Sequence, residues 1–177
     1  MIWDGDRTGG SAQGWADCDA KPGCKATVSV VDKEGVEGGK AVRFHGEGPK
    51  WIGMGWNWHG WWPKNAGTDL TPYDTFTFSI RVVVDDPKQA PDPSGLSVAL
   101  RCSNGEKNSA NVTLEKYLKN PGDGKWHDVE IPLQEFYRGK EGQEFDPKSA
   151  WEINLSGWQN DPRKFDIYLD NVGVAKK

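Results

Sequence analysis

Residues 73–84 read YDTFTFSIRVVV, and the period of that run decides the fold. Phe76, Phe78, Ile80, Val82 and Val84 fall on one parity, while Thr75, Thr77, Ser79 and Arg81 fall on the other. Successive side chains of a strand point to opposite faces, so this run is a strand with one greasy face and one polar face. GLSVALRCS (95–103) repeats the plan, with Leu96, Val98, Leu100 and Cys102 against Ser97, Ala99, Arg101 and Ser103. AWEINLSGW (150–158) repeats it again. Trp151, Ile153 and Leu155 form its core set; Glu152, Asn154, Ser156 and Trp158 oppose them.

Outward from these three runs the chain keeps the same texture. Short alternating stretches are predicted as strands over Ala26–Val31, Lys40–Gly46, Trp51–His59, Tyr73–Val84, Gly95–Ser103, Ala110–Thr113, Trp126–Pro132, Ala150–Trp158 and Phe165–Val174. Breaker clusters such as DDPKQAPDPSG (85–95) and NPGDGK (120–125) separate them. Helical hints are confined to about a turn at TLEKYL (113–118) and LQEF (133–136). Many short strands with turn signals between them indicate an all-β sandwich or barrel.

The 177 residues suit one domain, long enough to bury a core of its own. Twenty-two basic against 26 acidic residues leave a formal charge of −4, which is no footprint for nucleic acid. No apolar run approaches a membrane span. The first residues, MIWDGDRTGG, lack the basic and apolar leader of a signal peptide. Cys18 and Cys24 bracket the turn-like CDAKPGC, where Pro22 and Gly23 could bring the thiols together. A small-loop disulfide there would imply secretion; two free thiols in a cytosolic loop are the alternative. Cys102 lies on an apolar register and reads as a small buried hydrophobe.

The segment WIGMGWNWHGWW (51–62) concentrates five tryptophans with three glycines. Alternation places Ile52, Met54, Trp56 and Trp58 in the core register. It places Trp51, Gly53, Gly55, Asn57, His59 and Trp61 on the polar face, unless a bulge inverts the register. Glycines on that face leave the sheet hollow, so a ligand can approach the backbone.

Indoles, guanidiniums and amides on one face suit sugars. A pyranose presents a flat face of C–H bonds to an indole, and its hydroxyls take planar donors and acceptors. The candidate ligand set is Trp51, Asn57, His59, Trp61, Arg81, Arg101, Asn154 and Trp158. Glycoside hydrolysis needs two carboxylates, and this face clearly offers only Glu152. A lyase using His59, a tyrosine and Arg81 is a further possibility, as is an adhesion domain docking a protein. His45, His59 and His127 show no metal-binding spacing, and no nucleophile elbow or phosphate loop occurs.

Near the end of the chain, KFDIYLDNVGV (164–174) interrupts a buried alternation with Asp170 and Asn171. A carboxylate there needs a partner. Calcium is one candidate, shared with Asp4 or Asp6 and backbone carbonyls; hydrogen bonds in a turn are the other.

DGKWHDVEIPLQEF (123–136) followed by KFDIYLDNVGV resembles the C-terminal half of jelly-roll carbohydrate-binding modules. Upstream, GGKAVRFHGEG (38–48) and DLTPYDTFTFSIRV (69–82) look like the early strands of the same group. The nearest type is the galactose-binding-like sandwich, such as family eleven β-glucan-binding modules. The resemblance implies two antiparallel sheets, a concave sheet that binds a glucan chain, and a structural calcium mapped to Asp170. It also implies a non-catalytic, secreted, monomeric module acting beside a glycoside hydrolase. The tryptophan density of 51–62 exceeds what the resemblance calls for.

Overall fold

A computed structural model describes residues 11–16, 18, 22–49, 51–58, 67–85, 95–102, 107–138, 144–158 and 164–176. Its elements in chain order are β1 (Ser11–Ala16), β2 (Lys25–Val31), β3 (Ala41–Glu47), β4 (Trp51–Asn57), β5 (Thr75–Val84), β6 (Leu96–Cys102), β7 (Val112–Thr113), β8 (Trp126–Pro132), β9 (Ala150–Trp158) and β10 (Lys164–Ala175). Short 3-10 turns occupy Leu114–Lys116, Leu133–Tyr137 and Pro147–Ser149. The first two fall on the predicted helical hints. Among the described residues there is no α-helix.

Two five-stranded sheets form, ordered β1-β4-β9-β6-β7 and β2-β3-β10-β5-β8. All their pairings are antiparallel. The expected all-β jelly-roll sandwich is what the chain adopts. β1 was not among the predicted strands; SAQGWA carries a single large apolar residue, too few for an alternation to show.

The apolar parities read from the sequence meet between the sheets. Ile52, Met54 and Trp56 of β4, Leu96, Val98 and Leu100 of β6, and Ile153 and Leu155 of β9 line the first sheet. Phe44, Phe76, Phe78, Ile80, Phe165 and Ile167 line the second, all almost wholly buried. Phe44 stacks on Phe165 at 5.9 Å, and Phe76 meets Phe136 edge-on at 6.0 Å. Trp58 also joins this core, its indole N–H donating to Thr68 Oγ1 at 3.1 Å.

Cys18 and Cys24 are disulfide-bonded, with Cα atoms 5.3 Å apart. Cys102 is buried, and its thiol donates to the carbonyl of Lys107 at 2.6 Å. The interruption in β10 is a register shift against β5 between Asp170 and Gly173, with Asn171 at φ 51°.

Candidate functional site

β4 runs through the first sheet without a register break. It pairs Gly53 with Trp15 on one side and with Ser156 on the other. The parity that does not face the core is therefore shared across strands. Ser11, Gln13 and Trp15 of β1 stand beside Trp51, Gly53, Gly55 and Asn57 of β4. Next come Glu152, Asn154, Ser156 and Trp158 of β9, then Arg101, Ala99 and Ser97 of β6.

The two glycines make a strip of this face without side chains, and aromatic rings occupy the space above it. A Cβ added at Gly53 would lie 3.0 Å from Cη2 of Trp51 and 3.4 Å from Cε3 of Trp15. One added at Gly55 would lie 3.4 Å from Cη2 of Trp15 and 2.7 Å from Oε1 of Glu152. The Trp15 indole thus spans both glycines, with Trp51 beside it. Trp15 keeps 40% and Trp51 36% of its surface exposed, unusual for the largest apolar side chain. Two part-exposed indoles over bare backbone form an apolar platform on this face.

Polar groups flank the platform. Glu152, only 2% exposed, receives Arg101 at 3.4 Å from Nε to Oε1, and the Arg101 side chain stays 44% exposed. Burial raises the Glu152 carboxyl above its ordinary range, against the lowering effects of Arg101 and an Asn154 hydrogen bond. Asn57 is buried at 1% exposure and Asn154 nearly so. Ser97 and Ser156 hydrogen-bond each other at 2.9 Å across β6 and β9. The strands of this sheet place one carboxylate, Glu152, on the face.

Several predicted site residues come together here: Trp51, Asn57, Arg101 and Asn154, with Trp158 opposite Trp51 in the ladder. His59 and Trp61 lie outside the described residues. Arg81 does not join them, because β5 belongs to the second sheet. There its guanidinium sits 4.1 Å from the ring centre of Tyr168 and 5.2 Å from that of Trp126, ion-paired with Glu34. Parity distinguishes inside from outside on each strand, but it does not say which sheet a strand joins. Trp15 was absent from the candidate set because its strand was. Its one available signal is the i, i+2 pair Gln13 and Trp15, too short to stand alone.

Asp170 is buried at the β10 bulge, where Oδ2 accepts the Val36 N–H at 2.9 Å and Oδ1 accepts its neighbour Asn171 N–H at 2.7 Å. These hydrogen bonds answer the carboxylate's need for a partner. Among the described residues no group of three His, Cys, Asp or Glu side chains could hold a metal. Asp4 and Asp6, the acidic ligands expected to complete a calcium site, lie outside the described residues.

The family model of carbohydrate binding domain 30 matches residues 3–176. The chain belongs to that family. No curated protein matches it in sequence. Among solved structures it is similar to the family 30 carbohydrate-binding module of cellulosomal cellulase Cel9D-Cel44B of Clostridium thermocellum, at 16% identity and TM-score 0.67, covering 99% of this chain and 97% of that one. The family 11 module from Clostridium thermocellum, in complex with a β-1,3-1,4-mixed-linked tetrasaccharide, is similar at 14% identity and TM-score 0.54, covering 96% and 90%. A β-1,2-glucanase from Parabacteroides distasonis is similar at 16% identity and TM-score 0.65; the match covers 99% of this chain but 24% of that one. At these identities the structures establish a shared fold. The family match makes this chain a carbohydrate-binding module. No helix of the described residues is long and apolar enough to cross a membrane.

Proposed function

We propose that this family 30 domain is a non-catalytic module that binds a β-glucan chain across the outer face of the first sheet. Trp15 and Trp51 stack on pyranose rings. Arg101 hydrogen-bonds hydroxyls, while Asn57 and Asn154, both buried, support the face from within; His59, Trp61 and Trp158 join the proposed ligand set from the sequence alone. Arg81 is left out of this set, and the buried Glu152 holds Arg101 in place beneath it. One observation carries the proposal: two part-exposed indoles rest on the side-chain-free strip of Gly53 and Gly55. A monomer needs a reason to leave such rings open, and a flat ligand is one.

β-Glucan is favoured as the ligand because a platform one strand wide suits an extended chain, and because the family 11 neighbour's ligand is a mixed-linked β-glucan oligomer. Cleavage on this face would want a second carboxylate, and its described strands offer only Glu152. The Cys18–Cys24 disulfide favours secretion, beside a glycoside hydrolase acting on the same polymer. A structural calcium held by Asp170 with Asp4 or Asp6 belongs to the same proposal. Its sign is a melting temperature that rises on adding calcium in the wild type and not in Asp170→Ala.

Affinity gels cast with mixed-linked β-glucan, hydroxyethylcellulose, xylan and agarose test the ligand. Retardation in the first two, lost in Trp51→Ala, is the expected pattern. Unchanged migration in every gel would sink the proposal, and reducing ends released from the polymer would make the domain an enzyme.

A further inference from the structure

A cleft of about 490 Å³ opens at one end of the sandwich, away from the platform. It lies where the segment before β5 meets the 3-10 turn that follows β8, and Tyr73, Asp74, Thr75, Leu133, Gln134 and Tyr137 line it. Backbone bonds tie its two walls together: Leu133 N–H donates to the Asp74 carbonyl at 2.8 Å, and Asp74 N–H to that of Ala175 at 3.0 Å. The cleft therefore has a fixed frame.

Its lining is specific in kind. Tyr137 stays 41% exposed, although its ring is held edge-on against Phe145 at 5.0 Å between centres. Tyr73 supplies a second, half-buried ring, and Gln134 an exposed amide. Thr75 is 3% exposed, and its hydroxyl has no hydrogen-bond partner among the described residues. No lysine or arginine lines the cleft, so phosphate, sulfate and uronate are poor occupants. Aromatic rings, an amide, a carboxylate and hydroxyls over a Leu and Pro floor are the groups a neutral sugar uses. The volume falls within the ordinary range of small-ligand sites.

We infer that this cleft is a second saccharide site, taking a short stretch of neutral hexose units independently of the platform. Its ligand class rests on the carbohydrate-binding family, and its position does not rest on the platform. Two sites on one module raise the apparent affinity for a polymer that can reach both, with no new contact at either.

Amide shifts of the 177-residue chain, titrated with cellohexaose and with a β-1,3-1,4-linked tetrasaccharide, test it. Saturable shifts at Thr71, Asp74, Gln134 and Tyr137 are expected in the wild type and in Trp15→Ala/Trp51→Ala. Tyr137→Ala and Gln134→Ala should each weaken those shifts by about fivefold or more while leaving platform shifts in place. Gln134 is exposed, so its variant carries the test should Tyr137→Ala loosen the fold. Shifts confined to the platform would overturn this inference and leave the platform standing. Shifts confined to the cleft would do the reverse, and no saturable shift at the cleft with either probe would refute the second site.

Discussion

Gly53→Val separates ligand contact from folding more cleanly than deleting a ring does. Valine suits a strand better than glycine, by up to about 1 kcal/mol. The atoms nearest its Cβ position would be ring atoms, of Trp51 at 3.0 Å and of Trp15 at 3.4 Å. Carbon atoms pack at about 3.5–4.0 Å, and each methyl reaches roughly 1.5 Å beyond Cβ, so both rings must lift by about 2 Å. That destroys a level platform. With Trp15 at 40% exposure, about 100 Å² of indole is open to a ligand. At about 25 cal/mol per Å², covering it stabilises a complex by roughly 2 kcal/mol per ring. Losing one ring's contact weakens binding about 30-fold. The expected result is a melting temperature equal to or above the wild type, with affinity for mixed-linked β-glucan down about 30-fold by calorimetry. Wild-type affinity in a folded Gly53→Val would refute the platform as the contact surface. A large fall in melting temperature would show that the rings seal the fold rather than serve a ligand.

Trp56→Ala is expected to cost about 3–5 kcal/mol in urea unfolding, because this indole is 2% exposed within the core; Trp51→Ala should melt almost normally. Glu152→Gln gives a pH test. Burial raises the folded carboxyl's pKa, so the folded chain holds that proton more tightly than the unfolded one. The stability this group contributes is full below the unfolded pKa of about 4.3 and declines as pH rises through the raised folded value. The melting temperature of Glu152→Gln minus that of the wild type should therefore grow from acid toward neutral pH, and a flat difference would contradict it. Arg81→Ala should leave glucan affinity within about twofold while lowering stability by about 2 kcal/mol, since its guanidinium is held by Tyr168, Trp126 and Glu34. A large loss of affinity would return Arg81 to the binding set.

Alternation carried most of the architecture. In β4, β5, β6 and β9 the apolar parity read from the sequence largely fills the sandwich, because one face of each strand must meet the opposing sheet, although Trp151, read as core, is only part-buried. Strand ends shifted by a residue or two, as with Tyr73–Val84 against the observed Thr75–Val84. The same parity put Trp51, Asn57, Arg101 and Asn154 on one face. It could not supply Trp15, whose strand of small residues has no apolar rhythm and is fixed by pairing with the glycines of β4. Nor could it show that Glu152 is buried, since the Trp15 ring and the missing Cβ of Gly55 set that together.

Arg81 and Arg101 show why a polar face is not yet a ligand face. Both follow the same rule on their strands: each is an arginine opposite an apolar parity. On the second sheet the neighbours satisfy one another. Asp166 accepts from Arg43 at 2.8 Å and lies 2.7 Å from His45, which in turn approaches Glu47 at 3.3 Å. Tyr168 lies between the guanidiniums of Arg43 and Arg81, at 5.9 and 4.1 Å from its ring centre. Its rings are covered by protein cations, so a sugar would have to displace charge to reach them. On the first sheet the Trp15 and Trp51 rings lie over glycine backbone instead. Arg101 meets its carboxylate with Nε and keeps much of its side chain open. The difference between the two faces lies in what the aromatic rings rest on. That depends on which strands become neighbours, and the crossovers between the sheets decide it.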